Sequence, residues 1–257
     1  MNSTIFIQMS AIIYSVLIII IYFSKKRFRS FENRIYSNLI IINFLGLVID
    51  ITLGLVSANY DKYSLQTIVL TKFYLIYFIT WMSYFTYYII YISRTTNKRS
   101  YDKSNIVLLL FVIIVSMIIY LLPVTIDKTT NGMHSSGIGT ILAYLISAVE
   151  IIVCTICLIK NLRTKKLKKY IPLFIFMVLG TVVALVQMFN PTIILIPAME
   201  TFVTFIMYFT IENPDMKLLD EMHKAKEISD NTNEEKTMFL YNMTQEIRET
   251  TKNINSE

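Results

Sequence analysis

Leu39-Ile-Ile-Ile-Asn-Phe-Leu-Gly-Leu-Val-Ile-Asp-Ile-Thr-Leu-Gly-Leu-Val-Ser57 runs for nineteen residues with a single charged side chain, Asp50. Roughly twenty helical residues cross a bilayer core of about 30 Å. No water reaches peptide groups in that core, so only helices and closed barrels satisfy them. A barrel strand alternates apolar and polar positions; this stretch is apolar throughout and reads as a membrane-spanning helix. Its cost is Asp50. A central carboxylate opposes insertion by about 3 kcal/mol, while each large apolar residue favours it by about 0.5 kcal/mol. The thirteen large aliphatic and aromatic residues of the stretch outweigh the charge.

Similar blocks lie on both sides, and the chain reads as seven spans: 4–24, 39–57, 69–92, 106–122, 138–159, 171–189 and 193–211. The expected fold class is all-α, a polytopic membrane protein with seven transmembrane helices. The first block has no basic residues before it and no small-residue cleavage site after it, so it reads as an anchor rather than a signal peptide. Only Asn190-Pro191-Thr192 divides the last two blocks. A single helix over 171–211 would be about 60 Å long, twice the apolar thickness, so a tight turn at Asn-Pro fits better.

Charge sets the expected orientation. Lys25, Lys26, Arg27, Arg29, Arg34, Arg94, Lys98, Arg99, Lys103, Lys160, Arg163, Lys165, Lys166, Lys168 and Lys169 follow spans one, three and five, fifteen cations in all. The loops of the other side hold Lys62 and Lys128. The positive-inside rule then puts the amino terminus outside and the carboxyl tail in the cytoplasm. Residues 1–211 carry a net charge of +11 and residues 212–257 one of −5. The basic excess thus belongs to membrane loops beside anionic lipid, and nucleic acid is not an expected partner. Cys154 and Cys157 fall within one apolar block, which rules out a disulfide framework and leaves a metal short of ligands. They read as small packing residues, and no metal is expected.

The outer loops are short. The longest, roughly 123–137, contains Pro123, Asn131, Gly132, Ser135, Ser136 and Gly137 and reads as a loop, too small for a folded extracellular sensor domain. The cytoplasmic part opens with Ile211-Glu-Asn-Pro-Asp215, where Asn213 suits an N-cap, Pro214 the first helical turn and Asp215 the positive helix end. Ser229 to Glu235 is polar, and Thr232 with Glu235 has capping-box spacing. Leu240, Met243, Ile247, Thr250 and Ile254 then recur in steps of three and four, a bundle or coiled-coil seam.

Lys236-Thr-Met-Phe-Leu-Tyr-Asn-Met-Thr-Gln-Glu-Ile-Arg248 resembles the phosphoacceptor box K-x-x-F-L-x-N-M-S-H-E-I-R of sensor histidine kinases. Tyr208-Phe-Thr-Ile-Glu-Asn-Pro-Asp215 resembles the exit from the last span of multi-span bacterial members. The likeness covers about residues 208–248 and is vague over the spans. It implies a membrane sensor, residues 1–211, acting through a juxtamembrane signalling helix, 212–235. Residues 236–257 would then begin a degenerate, incomplete dimerisation helix.

In the family, ATP phosphorylates the box histidine, which passes the group to a response regulator. Gln245 stands at that position here. An amide nitrogen has its lone pair delocalised and is no nucleophile at neutral pH. Glu246 and Arg248 keep the box recognisable, while Glu249-Thr250 replaces the usual threonine-proline. This chain is therefore expected to phosphorylate nothing alone. ATP and magnesium would belong to a kinase domain supplied elsewhere. The expected partners are a second copy or a partner kinase bound through the cytoplasmic helix, a response regulator indirectly, and membrane lipid.

Asp50, Glu150 and Glu200 lie near the middles of spans two, five and seven, and Lys72 near the outer end of span three. Ionisable groups inside a membrane face the bundle interior and find partners. They form either a ligand, ion or proton-sensing site or interhelical hydrogen-bond glue. Asn43 and Gln187 read as glue, and His134 and His223 as solvated. Two other functions are compatible with such residues, a small transporter or channel subunit and a scaffold that recruits a partner kinase. Few glycine or proline breaks and no internal repeat disfavour transport.

Overall fold

The computed structural model describes residues 3–24, 31–58, 60, 62–93, 101–129, 132–161, 170–189, 194–209 and 214–254. Eight helices form among them: α1 (Ser3–Ser24), α2 (Phe31–Ser57), α3 (Ser64–Ser93), α4 (Tyr101–Leu121), α5 (Ile138–Asn161), α6 (Ile171–Phe189), α7 (Ile196–Met207) and α8 (Pro214–Ile254). The chain divides into two compact units, Met1–Glu212 and Asn213–Glu257. Among the described residues four helical segments are long and apolar enough to cross a membrane: Phe6–Ser24, Phe31–Ser57, Ser64–Ser93 and Ile138–Lys160. Ile106–Leu121, Ile171–Val183 and Ile196–Met207 are apolar but shorter. The twelve residues of α7 reach about 18 Å, less than the apolar core of a bilayer.

Helix α3 is the packing axis of the first unit, in contact with α2, α4 and α5. Its Trp81 stacks on Phe85 at 5.2 Å, and both rings meet Phe176 of α6 at 5.8 and 5.0 Å. Helix α1 packs on α2 and α7, and α6 on α7. A Cβ at Gly180 would lie 3.9 Å from the Met199 sulfur. The last two apolar blocks are thus separate helices side by side, as the length argument requires. The dividing turn, Asn190-Pro191-Thr192, lies outside the described residues. So do the basic loops behind the orientation argument, apart from Arg34, Lys103 and Lys160.

Two expectations need correction. The loop read over 123–137 contains a two-stranded antiparallel hairpin, β1 (Thr125–Thr129) with β2 (Gly132–Ser136), in which Asp127 faces His134. Gly137 leaves it with φ of 103°, a backbone region costly for any other residue, and a Cβ there would press on the Pro123 carbonyl at 2.9 Å. In the second unit, α8 is one unbroken helix of 41 residues through the polar stretch 229–235. Thr232 caps nothing: its hydroxyl donates back to the Ile228 carbonyl at 2.8 Å, one turn earlier in the same helix. Pro214 is the first helical residue; Asn213, expected as its cap, lies outside the described residues.

Candidate functional site

Asn43, Gly46 and Asp50 are spaced by three and four, so they share one face of α2. All three are buried. Gly46 has no side chain for a reason of space: a Cβ there would overlap the ring of Tyr77 from α3. The ring thus lies against the backbone of α2, and its hydroxyl donates to Glu200 Oε2 of α7. One turn from Glu200 Oε2's partner, Tyr74 packs its ring on Tyr77, centroids 6.0 Å apart. Gln8 of α1 closes the group by donating its amide Nε2 to Asp50 Oδ2 at 2.6 Å. Beside it, Asn43 Nδ2 donates to Thr201 Oγ1 of α7 at 3.0 Å. Four helices therefore meet at one polar cluster.

The cluster is rich in acceptors. Asp50 and Glu200 are both 0% exposed. Each carboxylate uses one oxygen, while Asp50 Oδ1, Glu200 Oε1 and Gln8 Oε1 are buried without a partner. The Tyr74 hydroxyl is likewise buried and unpaired. No lysine, arginine or histidine forms an ion pair with either acid among the described residues. Unpaired buried polar atoms cost about 1–3 kcal/mol each, and among the described residues the three acceptors of Asp50, Glu200 and Gln8 have no donor.

A cavity of about 330 Å³ opens at the hairpin end of the bundle. Leu53 and Ser57 of α2, Thr67, Thr71 and Tyr74 of α3, Tyr144 of α5 and Ile196 of α7 line it, and Ile126, His134 and Ser135 of the hairpin cover it. On three helices its lining comes within one turn of the polar cluster. Leu53 follows Asp50 by three residues, Tyr74 precedes Tyr77 by three, and Ile196 precedes Glu200 by four. Tyr74 belongs to both places, since it lines the cavity and packs on Tyr77, the donor to Glu200.

The other residues singled out in the sequence stand elsewhere. Lys72 turns to α4, donating to the Tyr120 carbonyl at 2.7 Å with its ammonium 5.5 Å from the Tyr120 ring centre. Helix α4 ends one residue later, so Lys72 serves a helix C-terminus, where a cation is favoured. Glu150 of α5 accepts from Ser83 of α3 at 2.6 Å, a second interhelical contact apart from the Asp50 and Glu200 pair. Cys154 is buried and donates to Thr86 Oγ1 at 3.4 Å. His134, read as solvated, is half-buried on the hairpin, with Nε2 3.9 Å from Asp127 Oδ2 and Nδ1 unpaired. Gln245, Glu246 and Arg248 all lie on exposed stretches of α8. Among the described residues no His, Cys, Asp and Glu side chains gather in a way that would hold a metal.

Sequence reasoning missed Gln8, Gly46, Tyr74 and Tyr77. A glutamine in the first apolar block and a glycine one turn before Asp50 were the available signals. Toward the other end of the bundle, Tyr22 of α1 meets Tyr36 of α2 at 5.0 Å and Tyr208 at 6.5 Å. The Tyr36 hydroxyl donates to the Thr204 carbonyl at 2.8 Å. These rings hold the end of α7 two turns beyond Glu200. Neither a scan against protein-family models nor a search of curated proteins finds a match for this chain.

Proposed function

We propose that this chain is a multi-span membrane receptor of the histidine-kinase sensor type, with seven spans, its amino terminus outside and α8 in the cytoplasm. It reads a small or membrane-borne stimulus in the cavity beneath the hairpin and passes it along α7 to α8. The bond from Tyr77 to Glu200 carries the reading. It ties α3, whose Tyr74 lines the cavity, to α7, which precedes the signalling helix in the chain. The aromatic hold on Tyr208 lies at the far end of the same helix, so a shift of Glu200 would be felt there. With Gln245 at the phosphoacceptor position, the output is a change in how α8 pairs with a second copy or a partner kinase, and the phosphoryl step belongs to another protein.

The test needs no ligand. Met243→Cys is placed in the full chain in native membranes, and its crosslinking yield is measured alone and combined with Tyr77→Phe or Glu200→Gln. The expected result is a change of yield on breaking the pair, with Glu150→Gln leaving it unaltered. An unaltered yield in both pair variants, with correct membrane insertion, would sink the receptor reading. Counterflow of a small solute by the same membranes would then favour a transporter, the second function the buried acids support.

A further inference from the structure

The stimulus has a chemistry that the cluster specifies. Asp50 and Glu200 are fully buried, and each retains an oxygen with no donor. Gln8 Oε1 adds a third unpaired acceptor from a third helix. Lys72 is the sole cation of α3, and its ammonium is committed to the Tyr120 carbonyl on another face of the bundle. Among the described residues no cation pairs with either acid, which leaves a proton or a cation from outside to balance the cluster. One turn away lies a cavity of about 330 Å³, within the range of roughly 300–1,000 Å³ that holds small organic ligands. Its walls are aliphatic, aromatic and hydroxylic with one imidazole, His134, and Tyr74 of that wall packs on Tyr77, the donor to Glu200. Tyrosine faces attract organic cations.

We propose that the cavity takes a small organic cation, one ammonium group on an apolar or aromatic body, whose ammonium is received by Asp50 and Glu200 while its body rests between Leu53, Tyr144 and Ile196. This rests on the reading of the cavity as the sensing site and adds its ligand class. An ammonium brings three donors, matching the unpaired oxygens of Asp50, Glu200 and Gln8. One ammonium balances one carboxylate, and the other carboxyl keeps its proton; a bare metal ion would leave the cavity above empty. The body of the ligand occupies the cavity; the Tyr74 hydroxyl, unpaired in the free protein, turns to admit the ammonium.

The probe is 2-phenylethylamine, with 2-phenylethanol as its uncharged counterpart of the same size. Binding of each to the full chain in nanodiscs is measured by equilibrium titration. The amine is expected to bind saturably and the alcohol at least roughly 10-fold more weakly, the difference of a charged hydrogen bond. Asp50→Asn and Glu200→Gln are each expected to weaken the amine by a similar factor while leaving the alcohol unaffected. Equal binding of amine and alcohol would overturn the proposal, as would no saturable amine binding, or unaltered amine affinity in folded acid variants. Should the variants fail to fold, the comparison of amine and alcohol on the native chain decides alone. Crosslinking of α8 is a separate readout. Amine binding at the acids without any response of α8 would remove the receptor function and leave the cation site standing. A response of α8 to acidification alone, with no amine binding, would do the reverse and make the pair a proton site.

Discussion

Gly46 and Tyr77 test separately the two things that hold the cluster together, space and a hydrogen bond. Gly46→Ala puts a methyl group where the Tyr77 ring lies, and the ring is fixed between α2 and α7 by its bond to Glu200. Overpacking of this kind costs about 1–3 kcal/mol. The expected outcome is a lower thermal unfolding midpoint in detergent, with the Glu200 contact displaced. Tyr77→Phe keeps the ring and removes the hydroxyl. Interhelical hydrogen bonds in membranes average about 0.6 kcal/mol and reach about 1.7, so its stability loss should be the smaller of the two. A Tyr77→Phe loss exceeding that of Gly46→Ala would mean that the bond, and not the close approach of α2 and α3, sets the geometry. Asp50 and Glu200 were legible as singular residues, because a charge in an apolar block stands out. Their meeting was not. The residues that bring them together, Gln8, Gly46 and Tyr77, are individually ordinary in membrane helices, and Tyr77 lies 123 positions from Glu200.

Among the elements, the apolar blocks were legible and their faces were not. Helix α2 buries Asn43, Gly46 and Asp50 and exposes Ile41, Leu45 and Val48. In lipid the outer face is as apolar as the core, so hydropathy carries no facing signal. The first turns of α2 fell outside the apolar block because they carry Glu32, Asn33 and Arg34; the helix begins at Phe31 rather than 39 and buries Asn33 and Tyr36. The hairpin did have a signal, Asn131-Gly132 between residues able to form strands, but it was absorbed into a loop reading, and the register, Thr129 opposite Gly132, puts the turn one residue before that pair. Gly137 gives the hairpin its exit. Alanine there would hold φ near 103° at a cost of about 1–2 kcal/mol. Gly137→Ala should therefore loosen the cover of the cavity and weaken ligand binding without unfolding the helices, a combination that circular dichroism and titration together would reveal. On α8, Leu240, Met243 and Ile247 are exposed at 62, 42 and 60% and fall on one seam. If that seam meets a second copy, Met243→Cys crosslinks in membranes and Gln245→Cys, off the seam, does not. Equal yields at both positions would mean that α8 collides at random rather than pairing.

At the scale of the whole molecule, the decisive quantity is the side of the membrane on which the cavity opens. Leu53, Ser57, Thr67, Ile126, His134 and Ile196 line one end of the bundle, which is the end of the hairpin and of Lys62. Fifteen cations follow spans one, three and five, against Lys62 and Lys128 in the loops of the hairpin side. Since cationic loops are retained in the cytoplasm, the cavity should open outward and the acids should be reached from outside the cell. Lys62 is exposed between α2 and α3, and Leu240 is exposed on α8. The native Cys154 is buried and Cys157 partly so, giving little background for a thiol label. In intact cells an impermeant maleimide should therefore label Lys62→Cys and should reach Leu240→Cys only after lysis. Labelling of both in intact cells would require an even number of spans between them, which the counting of seven does not give. Labelling of Leu240→Cys alone would turn the molecule over, place the cavity in the cytoplasm, and make an organic cation from outside the wrong stimulus for the same cluster of residues.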